Sequence, residues 1–385
     1  MIIAVDRNIP LAASAFGTLG EVRLLETTGV TPDAVRDAGA LVIRSETKVG
    51  RALLEGSAVR FVGSATIGTD HCDLRYLGDQ GIVFSNAPGS NANSVKEYVL
   101  AALLALARQG GVQLRGRTIG VVGVGNVGSR VAAVGRALGM NVLLNDPPRA
   151  RAEGGKEFLP LDALMDADVV TLHVPLTREG TDATFHLFDE KRIGAMKRGA
   201  ILMNTSRGAV VETRAAASAL SSGRLSAAVF DVWEGEPRID AELLRLATLG
   251  TPHIAGYSLD GKVNAVGMVR RAFCAWRRDA SVWNPAPEIP PAPVTSVALC
   301  AGETPEQSLE RAVTAAYDIA LDDRNLRAML EIRGADRGPY FMRLRTGYRL
   351  RREFAATRVA LPAGSAVVRG LLEAVGFPPP DVSRP

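Results

Sequence analysis

Three segments of the chain carry residue types that together suit the oxidation of an alcohol. N-T-S-R-G, D-V-W-E-G-E-P and T-P-H-I-A-G-Y supply Arg207, Glu236 and His253. Histidine titrates near neutral pH and can take a hydroxyl proton, while a neighbouring carboxylate would fix its tautomer and favour the imidazolium form. The guanidinium fork of arginine matches a carboxylate. We therefore predict that these residues form a catalytic set for a carboxylate-bearing alcohol.

A glycine-rich motif predicts a dinucleotide that would accept the hydride. The motif G-V-G-N-V-G follows a predicted strand, opens a predicted helix, and supplies Gly123, Gly125, Asn126, Val127 and Gly128. The first glycine allows a tight turn, the second lets the backbone approach a pyrophosphate, and the third lets the helix pack on the strand. The free amides of the helix N-terminus then face the anion.

An acidic residue at the end of the next predicted strand favours NAD over NADP. Asp146 stands where a carboxylate accepts hydrogen bonds from the adenosine ribose diol. The same negative charge would repel a 2′-phosphate. The alternative is that Asp146 only caps the turn before Pro147 and Pro148.

The elements that must position these residues alternate between strand and helix patterns. In the second part of the chain, strands are predicted at 119–123, 141–146, 168–174, 200–205, 227–232 and 253–256. Strands separated by helices form a doubly wound parallel sheet, and such sheets bind ligands beyond their carboxyl ends. The three catalytic segments are expected at that edge.

The first part of the chain shows the same alternation, and the last part does not. Strands are predicted at 2–6, 21–25, 41–45, 61–65 and 82–86, followed by a long helix over 94–108. A proline-rich run over 284–293 favours an extended linker. Beyond it, mixed strand and helix signals predict a small α+β segment.

Composition bounds the remaining possibilities. The 385 residues are 47% hydrophobic and 22% charged, which argues against a wholly disordered chain. Three cysteines without C-x-x-C spacing favour a reducing compartment. No signal peptide, membrane span or metal-ligand spacing is recognised, so we expect a cytoplasmic protein without metal or membrane. His71, His173 and His186 are interpreted as structural, the latter two because no acid is spaced to partner them.

Taken together, these motifs resemble the D-isomer-specific 2-hydroxyacid dehydrogenases. The segments V-I-R-S-E-T-K-V, S-A-T-I-G-T-D-H, H-I-A-G-Y-S-L-D-G-K and L-R-T-G-Y-R-L-R-R-E-F are similar to a branch whose substrate carries a phosphate as well as a carboxylate. The resemblance implies a Rossmann-type NAD domain at 98–256, inserted in a flavodoxin-like substrate domain at 1–97 and 257–283. It also implies a small α+β C-terminal dimerisation domain at 284–385, and hence a homodimer.

The resemblance also implies roles for individual residues. Arg207 and Glu236 would be active-site residues, and His253 the proton donor or acceptor. The substrate would contact Ser45, Thr66 and Tyr257. NAD would contact Asp146, Asp231 and Gly256, with Asp231 binding the nicotinamide carboxamide. The backbone of Thr205 and Ser206 would line the same pocket. Arg44 and, across a dimer, Arg345 are candidates for the substrate phosphate.

Two positions depart from the family pattern. Val174 stands where a threonine often helps hold NAD, and Lys96 stands in the long helix where an apolar residue is usual.

Two other functions remain open. One is a different D-2-hydroxyacid dehydrogenase, such as one for phosphoglycerate. The other is an NAD-sensing corepressor, because some relatives of this fold bind transcription factors and the arginine-rich tail leaves a nucleic-acid role open. That stretch is short and lacks interleaved stacking aromatics, so we expect no nucleic-acid partner.

Overall fold

The chain folds into two compact units, each of which combines segments distant in sequence. A computed structural model describes residues 1–110, 113–362 and 365–382. The first unit comprises Met1–Asn91 and Tyr257–Pro291, and the second comprises Ala92–Gly256 and Ala292–Pro385. The tail therefore groups with the second unit. A separate C-terminal domain at 284–385, and the other predicted domain boundaries, stay predictions.

Every strand ladder in the described residues is parallel. The strands are β1 Ile2–Asp6, β2 Glu21–Leu25, β3 Ala40–Ile43, β4 Phe61–Ser64, β5 Val83–Ser85, β6 Thr118–Val122, β7 Asn141–Asn145, β8 Val169–Leu172, β9 Ala200–Asn204, β10 Leu225–Phe230, β11 Leu249–Gly250, β12 Ser296–Ala298, β13 Arg358–Leu361 and β14 Asp381–Val382.

Helices connect most of these strands. They are α1 Ala12–Phe16, α2 Pro32–Val35, α3 Arg51–Leu54, α4 Leu74–Asp79, α5 Ala92–Gly110, α6 Asn126–Ala137, α7 Pro147–Glu153, α8 Glu190–Ala195, α9 Thr213–Ser221, α10 Ala241–Leu246, α11 Leu259–Arg277, α12 Pro305–Ala316, α13 Ile319–Arg327, α14 Gly334–Thr346 and α15 Ala366–Val375. None of the described helices combines the length and the apolar character needed to cross a bilayer.

The first unit contains a five-stranded sheet with the order β2-β1-β3-β4-β5. This is the flavodoxin-like order, and it confirms the predicted doubly wound α/β class. Helix α11 returns from later in the chain and packs directly on the sheet. A Cβ atom added to Gly63 in β4 would lie 2.3 Å from Cγ1 of Val269 in α11, so only glycine allows this approach.

The second unit contains the six-stranded sheet that carries the predicted dinucleotide motif. Its order is β11-β10-β9-β8-β6-β7. A single bridge between Leu144 and Phe158 extends the β7 edge by one more residue pair. The strand order reverses at β6, and the glycine motif begins just after β6 ends. Ligands of doubly wound sheets bind at this kind of switch point.

The sequence prediction was wrong for the strand at 253–256. The last strand of this sheet is β11, and 253–256 follows it as a loop. The carboxylate of Asp231 accepts hydrogen bonds from the amides of Ile254 and Ala255, at 2.7 Å and 2.9 Å. Amides held by a side chain cannot join a strand ladder, although the local apolar pattern suggests a strand.

The tail contributes to the hydrophobic core of the second unit. Helix α14 and the residues before it bring Leu326, Met329 and Phe341 into the same buried cluster as Trp233 and Leu202. A three-stranded parallel sheet, β12-β13-β14, and helices α12 and α15 complete the described tail.

A fully buried arginine joins the tail to the rest of the second unit. The side chain of Arg351 is 0% exposed. It donates hydrogen bonds to the carbonyl oxygens of Ala255 and Ser94, at 3.1 Å and 2.7 Å. Its guanidinium lies 3.8 Å from the ring centroid of Tyr317, a cation–π distance. Donors of a buried guanidinium need such partners, because burying an unpaired charge is costly.

The structure accounts for the unusual lysine in α5. Nζ of Lys96 donates a hydrogen bond of 2.6 Å to the carbonyl oxygen of Val375, the last residue of α15. A cation at a helix C-terminus satisfies a free carbonyl group and complements the helix dipole. Lys96 therefore holds the last described helix of the tail against α5.

We expect the buried carboxylate next to Lys96 to make stability depend on pH. Burial raises the pKa of Glu97 to about 8, although the charges of Arg351 and Lys96 oppose the rise. Since the unfolded value is about 4.3, the folded state holds this proton more tightly. The contribution of this bound proton to the free energy of unfolding is fully present below about pH 4.3 and is lost as pH rises through about 8.

Glu97→Gln should remove this part of the pH dependence. Free energies of unfolding measured with urea at pH 5 and pH 8.5 should differ less in the variant than in the wild type. Glu179→Gln removes an exposed carboxylate and should keep the wild-type difference. An equal pH dependence in wild type and Glu97→Gln would contradict the assignment.

Candidate active site

The three predicted catalytic residues follow three adjacent strands of the second sheet. Arg207 comes after β9, Glu236 after β10 and His253 after β11. These strands are neighbours in the order β11-β10-β9, and they run parallel. The structure therefore brings the three segments to one sheet edge.

His253 and Glu236 are in direct contact. Nδ1 of His253 lies 2.5 Å from Oε1 of Glu236, and the two side chains are 28% and 24% exposed. This contact leaves Nε2 of His253 as the ring nitrogen that can meet a ligand. His253 has a φ of 58°, which is uncommon for a residue with a side chain and occurs often at functional sites.

Several charges act on Glu236. Burial opposes its ionisation, but the charge and hydrogen bond of His253, together with the charge of Arg345, hold the pKa of Glu236 below its usual value. Arg345 lies in α14 of the same chain and the same unit. The charge of Arg345 therefore acts on Glu236 within one chain, and its contact with the substrate phosphate across a dimer stays a prediction.

The carboxylate of Asp231 organises the segment that carries His253. Asp231 is 2% exposed and accepts hydrogen bonds from Oγ1 of Thr251 at 2.6 Å and from the amides of Ile254 and Ala255. Burial raises the pKa of Asp231, while the charge of His253 and these hydrogen bonds oppose the rise. A carboxylate has about four acceptor positions, so one remains. The contact of Asp231 with nicotinamide stays a prediction.

Asn204 and a glycine shape the loop that carries Arg207. Oδ1 of Asn204 accepts hydrogen bonds from N and Oγ of Ser206 at 3.0 Å and 2.7 Å, and its Nδ2 donates to the carbonyl oxygen of Arg207 at 2.9 Å. A Cβ atom at Gly208 would lie 2.0 Å from the carbonyl carbon of Trp233. The S-R-G loop therefore touches the loop of Glu236 through backbone that only glycine permits.

The glycine motif has the geometry of a dinucleotide cradle. Gly123 has a φ of 84°, and a Cβ atom at Gly128 would lie 1.9 Å from the carbonyl oxygen of Gly123. A Cβ atom at Gly125 would meet no atom within 4 Å, so that glycine borders open space. Asn126 and Val127 open helix α6. Free space beside a helix N-terminus fits the pyrophosphate of NAD.

Asp146 caps a helix and keeps capacity for a ligand. Its Oδ2 accepts a hydrogen bond from the amide of Val124 at 2.8 Å, and its Oδ1 accepts one from the amide of Arg149 at 3.1 Å. Both interpretations of Asp146 are therefore compatible. Two acceptor positions remain for a ribose diol.

Two further histidines lie near this edge. The expectation that no acid partners His186 was wrong, because its Nε2 lies 2.7 Å from Oε1 of Glu234. The second acid of D-V-W-E-G-E-P was the signal that could have identified this pair. Burial lowers the pKa of His173 to about 3. Its ring nitrogens hydrogen-bond with Thr171 and Thr205 at 3.0 Å and 3.1 Å, which supports the Thr205–Ser206 backbone.

Two further predicted cofactor positions, Val174 and Gly256, lie in the second unit. Val174 packs against the core cluster of the second unit, and Gly256 is the residue at which that part of the unit ends. Among the described residues, no three histidine, cysteine or acidic side chains lie together as metal ligands would.

The predicted substrate residues other than Arg345 belong to the first unit. Arg44 and Ser45 follow β3, Thr66 follows β4, and Tyr257 precedes α11. The hydroxyl of Thr66 hydrogen-bonds with that of Ser64 at 2.7 Å and donates to the carbonyl oxygen of Gly68 at 3.2 Å. A residue that sequence reasoning missed is Lys262, whose Nζ lies 4.6 Å from the ring centroid of Tyr257.

Comparisons with known proteins agree with this architecture. Residues 92–255 match the model described as D-isomer specific 2-hydroxyacid dehydrogenase, NAD binding domain, and 289–375 match a domain of unknown function. The chain is similar to a solved 3-phosphoglycerate dehydrogenase of Entamoeba histolytica, at a TM-score of 0.63 and 23% identity over 73% of this chain and 97% of that chain. It is also similar to the D-lactate dehydrogenase of Aquifex aeolicus, at a TM-score of 0.59 and 27% identity over 72% and 96%.

The chain therefore belongs to the D-isomer-specific 2-hydroxyacid dehydrogenase family, and it is an NAD-dependent oxidoreductase. Two relatives that match nearly its whole length are named erythronate-4-phosphate dehydrogenase. The one from Salinibacter ruber is 47% identical over 96% of this chain and 97% of its own. The one from Chromohalobacter salexigens is 46% identical over 98% of both.

The open space at Gly125 gives a test of the cofactor cradle. In Gly125→Ala, the new methyl group should crowd the pyrophosphate, and the Kd for NAD should rise by about tenfold or more. The Tm without NAD should change by less than about 2 °C, since no protein atom is near. Fluorescence titration and thermal unfolding measure the two.

Gly194→Ala is the matched control, because a Cβ atom there also meets nothing within 4 Å, in helix α8. It should leave the affinity for NAD unchanged. Normal affinity in Gly125→Ala would argue against this cradle.

Proposed function

We propose that the protein oxidises 4-phospho-D-erythronate with NAD to 3-hydroxy-2-oxo-4-phosphooxybutanoate, in the biosynthesis of pyridoxal 5′-phosphate. The contact between Nδ1 of His253 and Oε1 of Glu236, on the same sheet edge as Arg207 and the glycine motif, supports this proposal most strongly. The relatives named erythronate-4-phosphate dehydrogenase support the choice of 4-phospho-D-erythronate as the substrate.

His253 performs the proton transfer. Neutral His253 accepts the proton of the C2 hydroxyl at Nε2, since Nδ1 faces Glu236. Glu236 stabilises the imidazolium that forms and keeps the ring in one orientation. The pKa of Glu236, lowered by its neighbours, keeps it ionised for this task.

Arg207 holds the substrate carboxylate and thereby orients the C2–H bond. The chemistry that NAD supplies when bound is the acceptance of a hydride at its nicotinamide ring. The C2 carbon loses that hydride as its hydroxyl loses the proton, which leaves the 2-oxo group and balances the oxidation. Asp146 binds the ribose diol, and the backbone of Thr205 and Ser206, with Asp231 and Gly256, lines the cofactor site.

The proposal includes further substrate contacts. Arg44, Ser45, Thr66 and Tyr257 bind the substrate, and Arg345 adds positive charge on the same chain as Glu236. The protein acts as a cytoplasmic homodimer. Three thiols without disulfide partners, Cys72, Cys274 and Cys300, are consistent with a reducing compartment.

The structure disfavours a corepressor that binds nucleic acid through its arginine-rich tail. Arg351 is buried, and Arg349 pairs with Asp322 at 3.3 Å. The arginines of this stretch therefore do not form one exposed basic surface, which a phosphate backbone would require.

A substrate panel tests the proposed reaction. NADH absorbance should show a kcat/KM for 4-phospho-D-erythronate that exceeds that for 3-phosphoglycerate by about tenfold or more. A preference for 3-phosphoglycerate would favour the other dehydrogenase. Salt-sensitive DNA binding, without NADH formation from any 2-hydroxy acid, would favour the corepressor.

Replacement of the proposed base tests the mechanism. His253→Ala should lower kcat by about two to four decades, while the Kd for NAD stays within about twofold. His186→Ala removes another carboxylate-paired imidazole and should cost less than about tenfold. Near-normal turnover of His253→Ala would contradict the assignment of His253 as the base.

A further inference from the structure

The first unit contains a cationic cluster that the proposed chemistry has used only in part. We call Arg44, Glu46, Tyr257 and Lys262 the Arg44–Lys262 cluster. Arg44 and Glu46 stand just after β3, and Lys262 lies in the first turns of α11. Nζ of Lys262 lies 4.6 Å from the ring centroid of Tyr257. The charges of Arg44 and Glu46 both act on Lys262, and all four residues belong to the first unit.

The cluster is short of negative charge. Glu46 is its one carboxylate, and Oε1 of Glu46 lies 3.5 Å from Arg44, a long ion pair between side chains that are 17% and 14% exposed. Among the residues that the structure describes, Nζ of Lys262 forms neither a hydrogen bond nor an ion pair, and its contact is with the ring of Tyr257. Burial, followed by the charge of Arg44, lowers the pKa of Lys262 to about 8.

A structural role explains this arrangement incompletely. A lysine stacked on a tyrosine gains a modest cation–π interaction. A partly buried ammonium beside a second cation is nevertheless unfavourable without an anion. An arginine fork and a lysine point charge are two cationic groups with which proteins commonly bind phosphate. A bound anion would therefore relieve the repulsion between Arg44 and Lys262.

Glu46 adds a second requirement. Its Oε2 is buried and has no hydrogen-bond donor among the described residues. Such an atom carries a desolvation cost until a donor reaches it. A ligand with hydroxyl groups beside its phosphate supplies both the anion for the cations and a donor for Glu46.

We propose that Lys262 acts with Arg44 to bind the phosphate of the substrate, and that Lys262 sets the selectivity for a phosphorylated hydroxy acid over its unphosphorylated counterpart. The inference rests on the proposed function and deepens it. Lys262 is a binding residue in this assignment, and the proton transfer remains with His253.

Lys262→Met tests the assignment by a split between KM and kcat. The KM for 4-phospho-D-erythronate should rise by about 10- to 100-fold, the usual size of a lost charge-assisted contact, while kcat changes by less than about threefold. The ratio of kcat/KM for 4-phospho-D-erythronate to that for D-erythronate should fall by a similar factor. A merely structural lysine would lower both kcat/KM values together and leave the ratio unchanged.

Three variants make the result decisive. Lys262→Arg keeps the charge and should restore most of the selectivity. Lys156→Met removes an exposed lysine of the second unit and should leave the ratio unchanged, which controls for net charge. Lys262→Gln serves as the neutral variant if thermal unfolding shows that Lys262→Met does not fold.

The outcomes separate the two proposals. If the wild type forms no NADH from 4-phospho-D-erythronate, the proposed function fails and this inference fails with it. If the wild type prefers the phosphorylated acid and the neutral Lys262 variants keep that preference, only the phosphate assignment is overturned.

Discussion

The carboxylate of Asp231 is the constraint on which the catalytic edge of the second unit depends. It is buried, and it accepts hydrogen bonds from the hydroxyl of Thr251 and from two successive amides after His253. These bonds turn the chain into a loop at the place where its apolar pattern would continue a strand. His253 can keep its positive φ because the backbone on both sides of it is held. Glu236, on the same loop as Asp231, then meets the imidazole.

The tail supports the same segment from another direction. The buried guanidinium of Arg351 donates to the carbonyl oxygen of Ala255, whose amide is already bonded to Asp231. Tyr98 in α5 hydrogen-bonds with Thr251 at 2.7 Å, and Lys96 in the same helix binds the end of α15. Helix α5, the tail and the catalytic loop are therefore one connected set of buried polar contacts. Loss of one partner would leave another buried group unsatisfied, which usually costs more than the contact itself contributes.

Sequence patterns predicted most of the fold because the patterns and the structures they specify are both local. The strands at 2–6 and 21–25 were placed at their observed bounds, and the other strands of both doubly wound sheets, except the last, differ by a few residues. Alternating apolar runs and helical periodicity reflect which side chains are buried over a short stretch of chain. The strand at 253–256 failed because a side chain more than twenty positions away takes its amides, as Asp231 does for Ile254. No local pattern carries that information.

The sequence alone determined the class of site. Residue types and their spacing over short stretches of chain are enough to recognise the glycine motif, Asp146 and the three segments at the strand ends. Only the tertiary structure decided which groups meet across the chain. It paired His186 with Glu234 and gave Lys96 a helix terminus to cap. It also let the charge of Arg345 act on Glu236 and the charges of Arg44 and Glu46 act on Lys262. Contacts between side chains distant in sequence depend on the packing of whole elements, and a charge acquires its partner and its pKa only when that packing is complete.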